Sequence, residues 1–186
     1  MGKLIVFNQV SLDGFIADAN GDMSWAHKDD AEWNEFVAGN ASHGSQLVLG
    51  RVTYEMMASF WPTPQALASM PAVAERMNTM TKILFSRTLH EASWQNTMLV
   101  KGDIAAEMRR IKETSKADMT ILGSASIVSQ LSQAALIDEY QIIINPVVLG
   151  QGKSMFETVQ KPLNLTQTKT RTFGNGNVLL CYETAV

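Results

Sequence analysis

The spacing of apolar positions changes repeatedly along this chain, and each change marks an element. Residues 3–10 (Lys-Leu-Ile-Val-Phe-Asn-Gln-Val) form a mainly apolar run of strand length. It predicts a buried strand running into Ser11-Leu12-Asp13-Gly14. Comparable strands are predicted at Gln46–Leu49, Lys82–Phe85, Thr97–Val100, Met119–Leu122 and Glu139–Ile144. Between them the period lengthens. Trp33, Phe36 and Val37 fall on one side of a helix over 29–41, with Asp29 or Asp30 as its cap. A helix from Val52 to Phe60 is stopped by Trp61-Pro62-Thr63-Pro64. Residues 65–80 continue as helix and restart at Met70-Pro71. Ile104, Met108 and Ile111 share a face of a helix over 103–115 capped by Asp103. A further helix, capped by Ser124 or Ser126, reaches Ala134. Two β-rich arms, Leu163–Phe173 and Val178–Thr184, flank Gly174-Asn175-Gly176-Asn177 and predict a hairpin.

Strands and helices alternate first, and an antiparallel hairpin comes last. That order predicts an α/β fold with a mostly parallel sheet, covered by helices and ending in an antiparallel edge. The 186 residues suit one domain over 1–186, with no visible repeat or linker. The chain is 46% hydrophobic and 18% charged, which supplies an ordinary core. A net charge of −3 argues against nucleic acid as a partner. Arg109-Arg110-Ile111-Lys112 is the one basic cluster, read as a solvated helix face. Cys181 is the sole cysteine, so no intrachain disulfide forms and a reducing, cytoplasmic location is expected. Its strand-like setting reads as core. His27, His43 and His90 lack the spacing of a metal site. The apolar run at the N-terminus is too short for a signal segment, and no run reaches membrane-spanning length.

The candidate chemistry lies at strand ends. Ser11-Leu12-Asp13-Gly14, Gly50-Arg51-Val52-Thr53, Ser86-Arg87-Thr88 and Gly123-Ser124-Ala125-Ser126 each follow a predicted strand. In an α/β sheet, ligands sit outside the carboxyl ends of the parallel strands. Two of these segments open helices directly, and helix N-termini bind anions through unpaired N–H groups and the helix dipole. Gly50 allows close backbone approach, Thr53 adds a hydroxyl donor, and Arg51 and Arg87 add guanidinium forks. The set suits a dinucleotide carrying an extra 2′-phosphate. Residues 147–154 imitate a phosphate loop, but Val147 occupies the first glycine position and Pro162 limits the helix that should follow. Residues 17–28, rich in Asp, Asn and Gly, form a loop long enough to be functional, with Met23 and Trp25 as lid residues.

Five segments, in order, carry a family resemblance. They are Val10–Ala17 (VSLDGFIA), Leu49–Glu55 (LGRVTYE), Lys82–Leu89 (KILFSRTL), Ile121–Ala125 (ILGSA), and Leu136–Tyr140 (LIDEY) with Pro146–Gly152 (PVVLGQG). The chain resembles the dihydrofolate reductase-like superfamily, in the branch holding the C-terminal reductase domain of the bifunctional riboflavin-biosynthesis deaminase/reductase. The resemblance implies a three-layer α-β-α sandwich around a mixed eight-stranded sheet, with NADPH as hydride donor. By similarity, Gly50, Arg51 and Thr53 meet the 2′-phosphate and pyrophosphate side, and Ser86 and Arg87 flank the adenosine. Gly123, Ser124, Ala125 and Ser126 would cradle the pyrophosphate. Gln9, Ile16 and Ala17 join the cofactor-binding set, with the loop from Ile16 closing over nicotinamide. A homodimer is expected on the same ground.

The chain also departs from the pattern. Gly123-Ser124 stands where dihydrofolate reductases have two glycines, often joined by a cis bond. Folate-type enzymes place an acid at the start of the first helix, and Asp30, five residues after Trp25, matches that spacing. A helix cap is equally expected at Asp30. Asp13 is the rival acid, and Asp-Gly is also a strong turn former. No basic cluster for a ribose phosphate is evident, and the deaminase half is absent. The expected activity is NADPH-dependent reduction of a small heterocycle. The acceptor is an aminopyrimidine riboside such as 5-amino-6-(5-phosphoribosylamino)uracil, or a pteridine such as dihydrofolate. The alternative is a catalytically silent NADP-binding or dimeric scaffold of the same fold.

Overall fold

Alternating burial along the first strand already separates the two faces of the sheet. In β1 (Leu4–Ser11), Leu4, Val6 and Val10 pack on one face, while Phe7 packs on the other. The computed structural model describes residues 2–28, 30–40 and 46–185. Its elements follow as β2 (Phe15–Ala17), a single 3-10 turn (Ser24–Ala26), α1 (Ala31–Asn40), β3 (Gln46–Gly50) and α2 (Arg51–Phe60). Next come α3 (Pro64–Ser69), α4 (Pro71–Thr79), β4 (Lys82–Phe85), β5 (Thr97–Val100), α5 (Ile104–Thr114) and β6 (Met119–Leu122). The chain ends with α6 (Ala125–Gln133), β7 (Glu139–Asn145), β8 (Lys153–Ser154), β9 (Leu165–Thr172) and β10 (Val178–Thr184).

The main sheet has eight strands in the order β5-β4-β3-β6-β1-β7-β10-β9. The six from β5 to β7 are parallel, and β10 and β9 add antiparallel pairs at one edge. The carboxyl ends of β3, β6, β1 and β7 therefore lie side by side. One face is covered by α5 and α6, whose Met108, Ile111, Ile127, Val128 and Leu131 pack on Val6, Val48, Ile83 and Ile121. The other face is covered in two parts. Tyr54 of α2 and Met77 of α4 pack with Trp94 on Leu47, Leu49 and Leu84, and Trp33 of α1 packs on Ile143, Leu179 and Cys181. Each fully buried aliphatic side chain contributes about 1.5–3 kcal/mol. The result is the expected three-layer α-β-α sandwich, and no helix among the described residues is long and apolar enough to cross a membrane.

Lys153-Ser154 is strand and not the start of a helix, in line with the rejection of a phosphate loop there. Two features differ from the sequence reading. β2 and β8 form a separate two-stranded sheet too short to show a period. Lys112 is buried rather than solvated. Its ammonium donates to the Leu136 carbonyl and pairs with Asp138, tying α5 to the start of β7. Asp29 lies outside the described residues.

One buried charge sits far from the strand ends. Lys82, fully buried at the start of β4, donates to the carbonyls of Asn78, Met80 and Gln95. Its Nζ lies 4.2 Å from the Trp94 ring centroid. Burial pushes the amine down to about 8.

Candidate functional site

The chain bends sharply where β6 ends. Gly123 and the next residue, Ser124, both lie in the left-handed region, at φ 59° and 52°. Glycine suits that conformation, whereas for an L side chain it is strained. No peptide bond among the described residues is cis. Asn8 of β1 holds the bend from beneath. Its Oδ1 accepts from the Gly123 N–H at 2.6 Å, and its Nδ2 donates to the Gly123 carbonyl at 3.3 Å and to Met155 Sδ at 3.2 Å. A side chain at 123 would also meet the Thr53 side chain, with Oγ1 3.0 Å from the added carbon.

The left-handed turn redirects Ser124. It occupies the N-cap position of α6 but makes no side-chain cap, and Ser126 makes none either. The Ser124 hydroxyl instead crosses to α2, accepting from the Gly50 N–H at 2.7 Å and donating to Thr53 Oγ1 at 3.0 Å. The Ser124 N–H donates to the same Thr53 oxygen at 3.2 Å. The N-termini of α2 and α6 are thereby stitched together. Neither has an acidic residue in its first turn or a side-chain cap. Gly50 is required by this contact, because a side chain there would meet Ser124 Oγ at 3.0 Å.

Arg51 stands exposed at the mouth of this arrangement and pairs with Glu55 at 2.8 Å on the same helix. Exposed pairs of this kind are weak, so Glu55 yields readily to a stronger anion. Ser86 is buried at the end of β4, where its Oγ accepts from the N–H groups of Thr88 and Leu89, while Arg87 is exposed. The two guanidiniums thus follow the ends of adjacent strands, β3 and β4.

Asp13 and Asp30 have different surroundings. Asp13 Oδ1 accepts from the Leu149 N–H at 3.1 Å, and Oδ2 accepts from the Gly150 N–H at 2.7 Å. The Ser11 hydroxyl and these N–H groups lower its carboxyl to about 2. Asp13 fills the turn role that Asp-Gly predicts. It clamps the β1–β2 turn to residues 149–150. Asp30 is the N-cap of α1, with Oδ1 accepting from the Trp33 N–H at 2.8 Å. The hairpin braces that helix. Arg171 pairs with Glu32 at 2.8 Å, the Gly174 N–H donates to Glu32, and Trp33 meets Phe173 edge-on at 5.2 Å.

Sequence reading missed three amides. Asn8 is the first. Asn145, fully buried at the end of β7, donates to the Val10 carbonyl and to Gln9 Oε1. Asn177, also fully buried, precedes Val178, which pairs with Ile144, so it stands across from Asn145. The Oδ1 of Asn145 and both amide atoms of Asn177 have no partner among the described residues. Buried polar atoms are nearly always satisfied, so a water or a ligand edge is called for here. The parity of Asn145 with Ile143 and of Asn177 with Leu179, which pack under α1, could have grouped that pair, whereas Asn8 has the parity of Val6 and Val10 and faces the other way. Ile16 and Ala17 lie buried in β2. The following loop folds on itself, with Asp18 Oδ1 accepting from the N–H groups of Asn20 and Asp22, and Trp25 Nε1 donating to the Asp22 carbonyl. Two surface grooves lie elsewhere. One, of about 440 Å³, lies between Tyr140 and Leu165, and one of about 670 Å³ lies beside Trp94.

Sheet order, layering and the bend after β6 define a protein of the dihydrofolate reductase-like fold. More narrowly, residues 2–179 match the RibD C-terminal domain, and the chain belongs to that family. It is similar to two uncharacterized proteins of Bacillus subtilis (strain 168). YyaP is 29% identical over 182 residues, covering 97% of this chain and 94% of that protein. YwjB is 25% identical over 172 residues, covering 92% of each. Among solved structures, a candidate riboflavin biosynthesis protein of Shewanella sp. PV-4 superimposes with a TM-score of 0.79 at 24% identity, covering 99% of both chains. The deaminase/5-amino-6-(5-phosphoribosylamino)uracil reductase of Thermotoga maritima gives 0.68 at 14% identity. This chain covers 57% of it.

Proposed function

We propose that this protein is an NADPH-dependent reductase of a small heterocycle, either an aminopyrimidine riboside or a pteridine. The observation that carries the reading is the pair of stitched, uncapped helix N-termini at the ends of β3 and β6, with Arg51 at their mouth. Gly50 and Gly123 let the two helix starts approach each other closely, and the uncapped N–H groups beside Arg51 form a donor set that suits a phosphorylated dinucleotide. Bound there, NADPH would supply a hydride.

The chain's own residues orient and enclose. Ala125 and Ser126 present the first-turn N–H groups of α6 to the pyrophosphate. Arg51, released from Glu55, takes the 2′-phosphate, while Ser86 and Arg87 flank the adenosine. Gln9, Ile16 and Ala17 border the nicotinamide, and the loop carrying Met23 and Trp25 excludes water. Asp30, at the N-cap of α1, or Asp13, at the β1–β2 turn, would handle the proton.

Titration of NADPH and NADH into the purified protein, followed by tryptophan quenching, tests this reading. Tight binding of NADPH with weak binding of NADH is expected, followed by oxidation of NADPH when the correct heterocycle is added. Binding of neither would place the protein with catalytically silent scaffolds of this fold.

A further inference from the structure

The protons between α2 and α6 can each be assigned a direction. The Gly50 N–H can only donate, so Ser124 Oγ is the acceptor in their 2.7 Å contact. The hydroxyl proton of Ser124 then goes to Thr53 Oγ1, 3.0 Å away. The Ser124 N–H, again only a donor, reaches the same oxygen at 3.2 Å. Thr53 Oγ1 thus accepts two hydrogen bonds, which fills its lone pairs. Its own proton has no acceptor among the described residues, and Thr53 is half-buried, with part of its surface open. A hydroxyl that already accepts twice is a better donor, because hydrogen bonds in a chain polarise one another.

We infer that Ser124 is a positioning residue that fixes Thr53 as an obligate hydrogen-bond donor toward a phosphate oxygen of the ligand. The inference rests on the dinucleotide-binding reading and deepens it. The backbone supplies an independent argument. Ser124 holds φ 52°, where glycine would sit without strain, so its hydroxyl is kept at a conformational cost. Ser124 acts through Thr53 and makes no ligand contact of its own in this scheme. A serine kept only for packing would have no reason to set the direction of its neighbour's proton.

A double-mutant cycle tests the inference, with NADPH and inorganic pyrophosphate as separate probes. Ser124→Gly removes the hydroxyl and relieves the left-handed strain, so it is the variant least disposed to misfold. Thr53→Val removes the donor while nearly keeping the shape. Thr53→Val is expected to weaken both probes about tenfold, the scale of one hydrogen bond to a charged group. Ser124→Gly is expected to weaken them several-fold. Added to Thr53→Val, it should cause no further loss, and Thr53→Ser should recover most of the affinity lost in Thr53→Val. Equal losses from Ser124→Gly with and without Thr53 would overturn the inference. So would a changed melting temperature with unchanged affinity. If the unmutated protein binds pyrophosphate with this coupling but not NADPH, the relay stands and the dinucleotide reading falls. If it binds neither, both fall.

Discussion

Three helices leave the same edge of the sheet, and only one of them is closed. Three residues separate β5 from α5, and the last of them, Asp103, caps the helix by accepting from the Ala106 N–H at 2.9 Å, with Glu107 in its first turn. α2 and α6 start from more central strands with no acid in the first turn and no side-chain cap. An N-cap contributes about 1 kcal/mol, so leaving two ends open forgoes stability. The open pair lies at the centre of the parallel strands and the closed end lies beside the edge strand. Where a side chain satisfies the first N–H groups, a ligand has little to gain. Where the N–H groups stay open, an anion has the most to gain.

The largest effect expected from disturbing the open pair is that of Gly123→Ala. It places a side chain in the left-handed region and against Thr53. A loss of at least about 2 kcal/mol is expected, measured by denaturant unfolding, together with loss of NADPH binding. Next is Arg51→Ala, for which NADPH affinity should fall about tenfold while NADH affinity stays level. Equal use of both cofactors by the unmutated protein would remove the role given to Arg51. At the closed end, Asp103→Ala should cost about 1 kcal/mol of stability and leave both affinities unchanged. A loss of binding in that variant would erase the contrast between the ends.

Smaller still is the effect of Asp30→Asn. Asparagine caps helices about as well as aspartate, so stability should change by only a few tenths of a kcal/mol. Turnover should nevertheless fall, since the amide cannot exchange a proton. Asp13 sharpens the contrast between the acids through pH. Its folded carboxyl is lowered to about 2, below the unfolded value of about 3.9. Its contribution is therefore fully present above about pH 4 and is lost as pH falls through 2. Acid unfolding curves of Asp13→Asn should lack that component.

Local patterns made much of this legible, and contacts between distant segments did not. Asp103 was readable as a cap because its partner is three residues away. Ser124 holds the N-cap position of α6, one of the two read for it, but its left-handed backbone aims the hydroxyl at α2, where no helical template places it. Gly50, Arg51 and Thr53 stood out as a contiguous strand-to-helix turn. Asn8 looked like one polar position in a strand, and its grip on Gly123 spans 115 residues. Lys112 lay in a basic run whose average character hid one member that meets Asp138, 26 residues on. β2 and β8 were too short for any period to emerge.

Lys82 offers a last consequence, in the language of chemical labelling. An amine-directed acylating reagent needs both access and a free lone pair. The Lys82 amine, enclosed by three carbonyls and an indole face, offers no access in the folded protein. The exposed Lys101, Lys116 and Lys161 should be acylated early. Acylation at Lys82 would then be a clock for the opening of the α4–β4 corner, timing one local event by mass spectrometry while the rest of the sheet stays folded.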